Sequence, residues 1–93
     1  MTIPKAPRGV IPPMTTPFAR NGDLDLAKLK PQVDWMIQAG CPGVAAGGST
    51  GEGHTLDREE YRDLLAATIE AAAGRIPVVA GIIVDSTRDA IKR

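Results

Sequence analysis

Seven consecutive residues, Gly47-Gly48-Ser49-Thr50-Gly51-Glu52-Gly53, carry the chemistry of this chain. Four glycines permit unusual backbone angles and close approach of a ligand to the main chain. Between them stand two adjacent hydroxyl residues, Ser49 and Thr50, beside exposed amide groups. Fixed hydroxyl and amide donors suit a small anion, because they complement negative charge without reorganising when it arrives. A tight strand-to-helix connection with no ligand is the bland reading of the same residues. Nucleotide binding fits poorly: a phosphate-binding P-loop requires Lys where Glu52 stands, and a dinucleotide site requires Gly-x-Gly-x-x-Gly opening the helix itself. A carboxylate at that place would repel a phosphate.

Other reactive side chains are read more plainly. His54 is the only histidine and adjoins the turn, but an exposed loop histidine is its simpler description. Cys41 is the only cysteine, which excludes an intrachain disulfide and suits a reducing compartment. At its place before Pro42 it reads as a small buried filler. Thr16 ends the first apolar segment and is read as a local backbone partner, Glu52 as a structural acid that ties the turn through its carboxylate, and Tyr61 as a hydrophobic staple.

The elements that position the turn follow from hydrophobic spacing. Gly9 to Phe18, GVIPPMTTPF, reads as a first strand in which Pro12 and Pro13 must lie at an edge or at the strand's beginning, since neither can donate to a ladder. Leu26, Leu29, Val33, Met36 and Ile37 then recur at helical spacing up to Gly40, with Asp25 as N-cap and a kink or restart near Pro31. Pro42 to Gly48 suits a buried strand, and Ser49 to Thr55 a loop. Asp57 with Glu60 forms a capping box that starts a second helix, Leu56 staples against Tyr61, and Tyr61, Leu64, Leu65, Thr68, Ile69 and Ala72 form one apolar face. Gly74 stands where a left-handed cap is wanted. Ile76 to Val84 is apolar and β-branched, as a strand covered on both faces should be, and Asp85, Ser86 or Thr87 caps a third helix.

The order β-α-β-α-β-α implies a parallel sheet with helices outside it, in one domain. Pattern alone fits a (β/α)8 barrel and a doubly wound sheet equally. In either, the turn lies at the carboxyl edge of the strands, where such folds bind ligands. Eleven Lys and Arg balance eleven Asp and Glu with no block of either sign, which disfavours nucleic-acid or anionic-membrane partners. Met1 to Gly9 lacks the apolar core of a signal peptide and no stretch approaches a membrane span, so a cytoplasmic setting is expected.

GVIPPMTTPF, QAGCPGVAAGGSTGEGHTLDREEY and RIPVVAGIIVDST resemble, in that order and spacing, the opening of the dihydrodipicolinate synthase and N-acetylneuraminate lyase family. The resemblance implies an α/β fold: the amino-terminal three β/α units of a (β/α)8 TIM barrel, incomplete as given, with residues 1–93 forming part of a single barrel domain. It implies an aldolase or lyase that forms a Schiff base between a lysine and pyruvate or another 2-oxo acid, needs no metal or organic cofactor, and is commonly a homotetramer. The family's Gly-x-x-Gly-Glu signature is Gly48-Ser49-Thr50-Gly51-Glu52. Thr50 matches the position whose hydroxyl and amide bind the pyruvate carboxylate. Ser49 matches a position that also binds it and, in the synthases, relays protons between two tyrosines; most synthases have Thr there. The resemblance places the Schiff-base lysine beyond the third strand. Lys5, Lys28, Lys30 and Lys92 are the lysines present, and none stands at the end of an apolar strand where burial would hold an amine near neutral pKa. The expectation is therefore a fragment that cannot react by itself, against the alternative of a non-catalytic piece that acts structurally or in interactions.

Overall fold

A computed structural model describes residues 7–93; residues 1–6, most of the amino-terminal segment read above, lie outside the described residues. Two parallel strands, β1 (Val44–Ala46) and β2 (Val78–Ala80), pair in register Val44 to Val78 through Ala46 to Ala80. Three α-helices, α1 (Leu29–Gln38), α2 (Arg58–Ala72) and α3 (Thr87–Lys92), follow the extended segments in alternation, and short 3-10 turns occupy Leu26–Lys28 and Gly53–Thr55.

The expected first strand is reduced to isolated bridges, and its prolines explain why. Around Pro13 the chain runs parallel to β1: the Ala45 N–H donates to the Pro12 carbonyl at 3.1 Å and the Met14 N–H donates to the Ala45 carbonyl at 2.7 Å. In this pattern the Pro13 nitrogen faces away from β1, where no donor is needed from it. The Pro12 nitrogen faces β1 and has no hydrogen to give, so the ladder cannot extend upstream. β1 is thus flanked on both sides, by this segment through Ala45 and by β2 through Val44 and Ala46.

Pro31 has the effect expected of it. A 3-10 turn led by Asp25 gives way to α1 at Leu29, which leaves Pro31 in the first α-helical turn, where backbone N–H groups lack intrahelical acceptors anyway. Asp25 occupies the N-cap position without making a side-chain cap bond. α2 starts as expected: the Asp57 carboxylate accepts from the Glu60 N–H at 2.8 Å and the Glu60 carboxylate accepts from the Asp57 N–H at 2.9 Å. Asp57→Ala should cost about 1 kcal/mol, measured as a lowered urea midpoint with an unchanged slope.

The left-handed residue that closes α2 is Ala73 (φ 51°), one place before Gly74, which also has positive φ at 75°. Arg75 finishes that end, donating from Nε to the Ala72 carbonyl (3.1 Å) and from Nη2 to the Ala71 carbonyl (2.7 Å). Its guanidinium also pairs with Asp34 on α1. Hydrogen bonds from Lys30 and then Arg75 hold the Asp34 carboxyl below the ordinary carboxylate range. Ser86 caps α3 by accepting from the Asp89 N–H at 3.1 Å.

The core lies where α1 and α2 pack on each other and on β1: Leu29, Val33 and Met36 meet Tyr61, Leu64 and Ala72 over Val44, Ala46 and Met14. Leu56 and Tyr61 are both buried, as the staple requires. Ile69 departs from the expected apolar face at 58% exposed, while Ala71 is buried. The third strand departs too. Only Val78–Ala80 pairs, and Val79, Ile82 and Ile83 are 38%, 47% and 42% exposed, because no described residue packs beyond β2.

Candidate functional site

β1 ends at Ala46 and the glycine-rich turn begins at once, so the turn stands at the carboxyl edge of the parallel strands. Its shape depends on glycines at particular places. Gly47 turns the chain with φ at 74°. A Cβ on Gly51 would stand 2.9 Å from the Met14 carbonyl oxygen and 3.2 Å from Thr16 Oγ1. A Cβ on Gly53 would run into the Gly47 carbonyl oxygen, and one on Gly81 would stand 2.5 Å from the Gly48 Cα. The turn is therefore packed backbone against backbone, between the first segment on one side and the chain leaving β2 on the other.

Hydrogen bonds hold it closed. The Glu52 N–H donates to the Ser49 carbonyl at 3.1 Å and the Gly53 N–H to the Gly48 carbonyl at 3.0 Å. Thr16, 8% exposed, donates its hydroxyl to the Gly51 carbonyl at 2.5 Å. Thr55 donates its own hydroxyl to the Glu52 carbonyl at 2.7 Å. Tyr61 reaches from α2 to donate to the Gly81 carbonyl at 2.5 Å, fixing the chain beyond β2 against the turn. Burial of Tyr61 pushes its phenol above its ordinary pKa, and the nearby positive charge of Arg93 pulls partly the other way. Arg93 lies over the Tyr61 ring, 4.6 Å from guanidinium carbon to centroid, and donates from Nη2 to the carbonyls of Gly53 (2.6 Å) and Leu56 (2.9 Å).

Ser49 and Thr50 come out side by side at the exposed crest of this turn. Neither residue's amide has an acceptor among the described residues. Their hydroxyls and N–H groups give the donor set of an anion cradle, open on the side toward solvent. Glu52 differs from its expected role. It is exposed and left-handed at φ 56°, and it supports the turn through its main-chain N–H and carbonyl, with no bond from its carboxylate among the described residues. His54 is exposed in the following 3-10 turn and lines a groove with Arg58, Val84, Asp85 and Arg93; neither Ser49 nor Thr50 lines it. Cys41 is partly buried against the core at the amino-terminal end of β1, remote from the crest.

Sequence reasoning undervalued three groups. Thr16 was separated from the turn by 35 residues, and only its side chain's place beneath Gly51 reveals the contact. Tyr61 carries a polar bond as well as the staple. Arg93, at helical spacing from nothing in the turn, gave no signal at all.

Residues 6–93 match the model of the dihydrodipicolinate synthetase family. The chain belongs to that family. A 4-hydroxy-tetrahydrodipicolinate synthase of Cereibacter sphaeroides is 48% identical over 85 residues, which cover 91% of this chain and 29% of that protein. Another from Ruegeria pomeroyi is 46% identical over 85 residues, which cover 91% of this chain and 29% of that protein. Among solved structures, a chloride-inhibited dihydrodipicolinate synthase from Acinetobacter baumannii complexed with pyruvate superposes with a TM-score of 0.88 at 37% identity, covering 94% of this chain and 30% of that one. An N-acetylneuraminate lyase from Mycoplasma synoviae superposes with a TM-score of 0.80 at 30% identity, covering 88% of this chain and 28% of that one. The chain thus spans about three tenths of the length of the family members it matches, and its α/β arrangement is that of the corresponding part of their TIM-barrel fold. No helix among the described residues is long and apolar enough to cross a membrane.

Proposed function

We propose that residues 1–93 are the amino-terminal part of a single-barrel, Schiff-base-forming aldolase or lyase that acts on pyruvate or a related 2-oxo acid. Its three β/α units would be completed by the rest of the barrel, in a cytoplasmic, commonly tetrameric enzyme. Thr50 binds the carboxylate through its hydroxyl and amide. Ser49 binds it too and passes protons during the reaction. The observation that carries this reading is the crest itself: two adjacent amides without acceptors among the described residues and two adjacent hydroxyls, at the carboxyl edge of parallel strands, on a turn closed by glycine packing. Complexation of the Acinetobacter baumannii relative with pyruvate supports the ligand class. The family needs no metal or organic cofactor for such chemistry, which the reading adopts.

A chimera tests it. Residues 6–93 would replace the matching stretch of the Cereibacter sphaeroides relative, and borohydride reduction with pyruvate should then trap a covalent adduct. Thr50→Val in the chimera should raise KM for pyruvate by roughly tenfold to a hundredfold, the loss of the one charge-assisted hydrogen bond its hydroxyl makes. An unchanged KM would end the assignment of the carboxylate to this crest.

The same reading makes the 93-residue chain unreactive by itself. Among the described residues, Lys28 lies in the 3-10 turn before α1, Lys30 in α1 and paired with Asp34, and Lys92 in α3; none follows a strand. Borohydride and pyruvate should trap nothing on the chain alone. An adduct on any of these lysines would overturn that reading.

A further inference from the structure

Two hydroxyls outside the crest converge on its two free amides by the same construction. In the first relay, the Thr16 hydroxyl donates to the Gly51 carbonyl (2.5 Å), and the N–H of that same peptide unit, on Glu52, donates to the Ser49 carbonyl (3.1 Å). The peptide unit reached in this way ends in the Thr50 N–H. In the second, the Thr55 hydroxyl donates to the Glu52 carbonyl (2.7 Å), and the N–H of that unit, on Gly53, donates to the Gly48 carbonyl (3.0 Å). This unit ends in the Ser49 N–H. No peptide bond here is cis, so each unit carries its N–H opposite its C=O. With both carbonyls turned back toward residues 52 and 53, both terminal N–H groups must point away from them, out of the turn.

We infer that Thr16 and Thr55 are positioning residues for the anion-binding crest, Thr16 aiming and polarising the Thr50 amide and Thr55 the Ser49 amide. The inference rests on the reading of the crest as a carboxylate cradle and adds how its donors are prepared. Hydrogen bonds in series polarise one another, so a donor at the far end of each chain withdraws electron density from two peptide units and leaves the last N–H a stronger donor. Direction matters as much as strength. The inner unit of each relay is held at its oxygen and its nitrogen and the outer unit at its oxygen, so the free N–H keeps its direction when no anion is present, which is the condition for a preorganised site. The two hydroxyls also differ in a way that fits the construction. Thr16 is buried beneath Gly51, while Thr55 is exposed and doubles its grip by donating its own N–H to the Glu52 carbonyl at 2.9 Å.

The test is amide proton NMR of the isotopically labelled chimera with the Cereibacter sphaeroides relative, with pyruvate as the probe. Thr16→Val should move the Thr50 amide resonance upfield and leave the Ser49 amide nearly in place. Hydrogen exchange at Glu52, the internal link of that relay, should accelerate roughly fivefold to tenfold, the size of one lost hydrogen bond. Thr55→Val should do the converse, shifting Ser49 and accelerating Gly53. Thr16→Ser and Thr55→Ser keep the hydroxyl and should restore the parent pattern, which a role in packing alone would not produce. Thr55 is exposed, so its variants keep the fold even if Thr16→Val loosens it. Equal disturbance of both amides by either Val variant, or failure of Ser to restore them, would overturn the pairing. If the site-specific pattern holds while pyruvate shifts neither amide in the parent, the positioning stands and the keto-acid reading is what fails.

Discussion

Gly53→Ala should abolish the native turn and unfold most of the chain around it. No rotamer can relieve the clash, because the added methyl has no torsion of its own and the atom it meets is the Gly47 carbonyl oxygen, part of the backbone leaving β1. To make room, the Gly53–Gly48 hydrogen bond must break and the 3-10 turn must move. That movement pulls on Leu56 and the capping box, which anchor α2. The cost should exceed about 3 kcal/mol, at the upper end for single substitutions. Urea unfolding followed by circular dichroism should show loss of the cooperative transition. Gly74→Ala is the control: a Cβ there meets nothing within 4 Å, and only its positive φ of 75° opposes the change, so a loss of about 1 kcal/mol is expected. Equal effects of the two substitutions would show that the turn is not packed as described.

Tyr61→Ala should be nearly as damaging, and comparison with Tyr61→Phe separates why. The ring is 4% exposed, sits close to Gly47 and supports the Arg93 guanidinium, so truncation loses core packing worth about 3–5 kcal/mol. Phe keeps the ring and the cation–π contact but leaves the Gly81 carbonyl without its hydroxyl donor, a loss of about 1–3 kcal/mol. pH gives a third view of the same group. Its phenol titrates above the ordinary value of 10.0 in the folded chain, so the neutral form is preferred there. The associated stability is therefore present in full below the unfolded-state pKa and is lost as pH rises through the folded-state pKa. Alkaline unfolding followed by circular dichroism should begin above pH 10 in the parent, and its tyrosine-linked component should vanish in Tyr61→Phe. A parent transition below that pH would contradict a desolvated phenol.

Three side chains explain why the two-stranded sheet holds a defined site. Among the described residues only six are in paired strands, yet the turn at their carboxyl edge is fixed from three directions. Thr16 grips it from the first segment, Tyr61 holds the chain after β2 against it, and Arg93 binds the carbonyls behind it. What the short sheet lacks in hydrogen bonds is replaced by side chains reaching the backbone.

The sequence by itself determined what depends on near neighbours. Asp57 and Glu60 start α2 because a capping box needs only residues three apart, Pro31 resets α1 because it lacks one hydrogen, and the glycines around Ser49 and Thr50 specify a turn whatever surrounds it. The family resemblance was legible for the same reason, being carried by short ordered landmarks. Tertiary structure alone decided the rest. Pro12 shortened the first strand only because its nitrogen faces β1, Ala71 is buried where Ile69 is exposed, and Val79, Ile82 and Ile83 stayed exposed because nothing described covers them. The partnership of Thr16 with Gly51, and the hold of Arg93 on Gly53, join residues 35 and 40 apart. Such contacts depend on where a parallel sheet brings distant segments together, and local spacing carries no record of that distance.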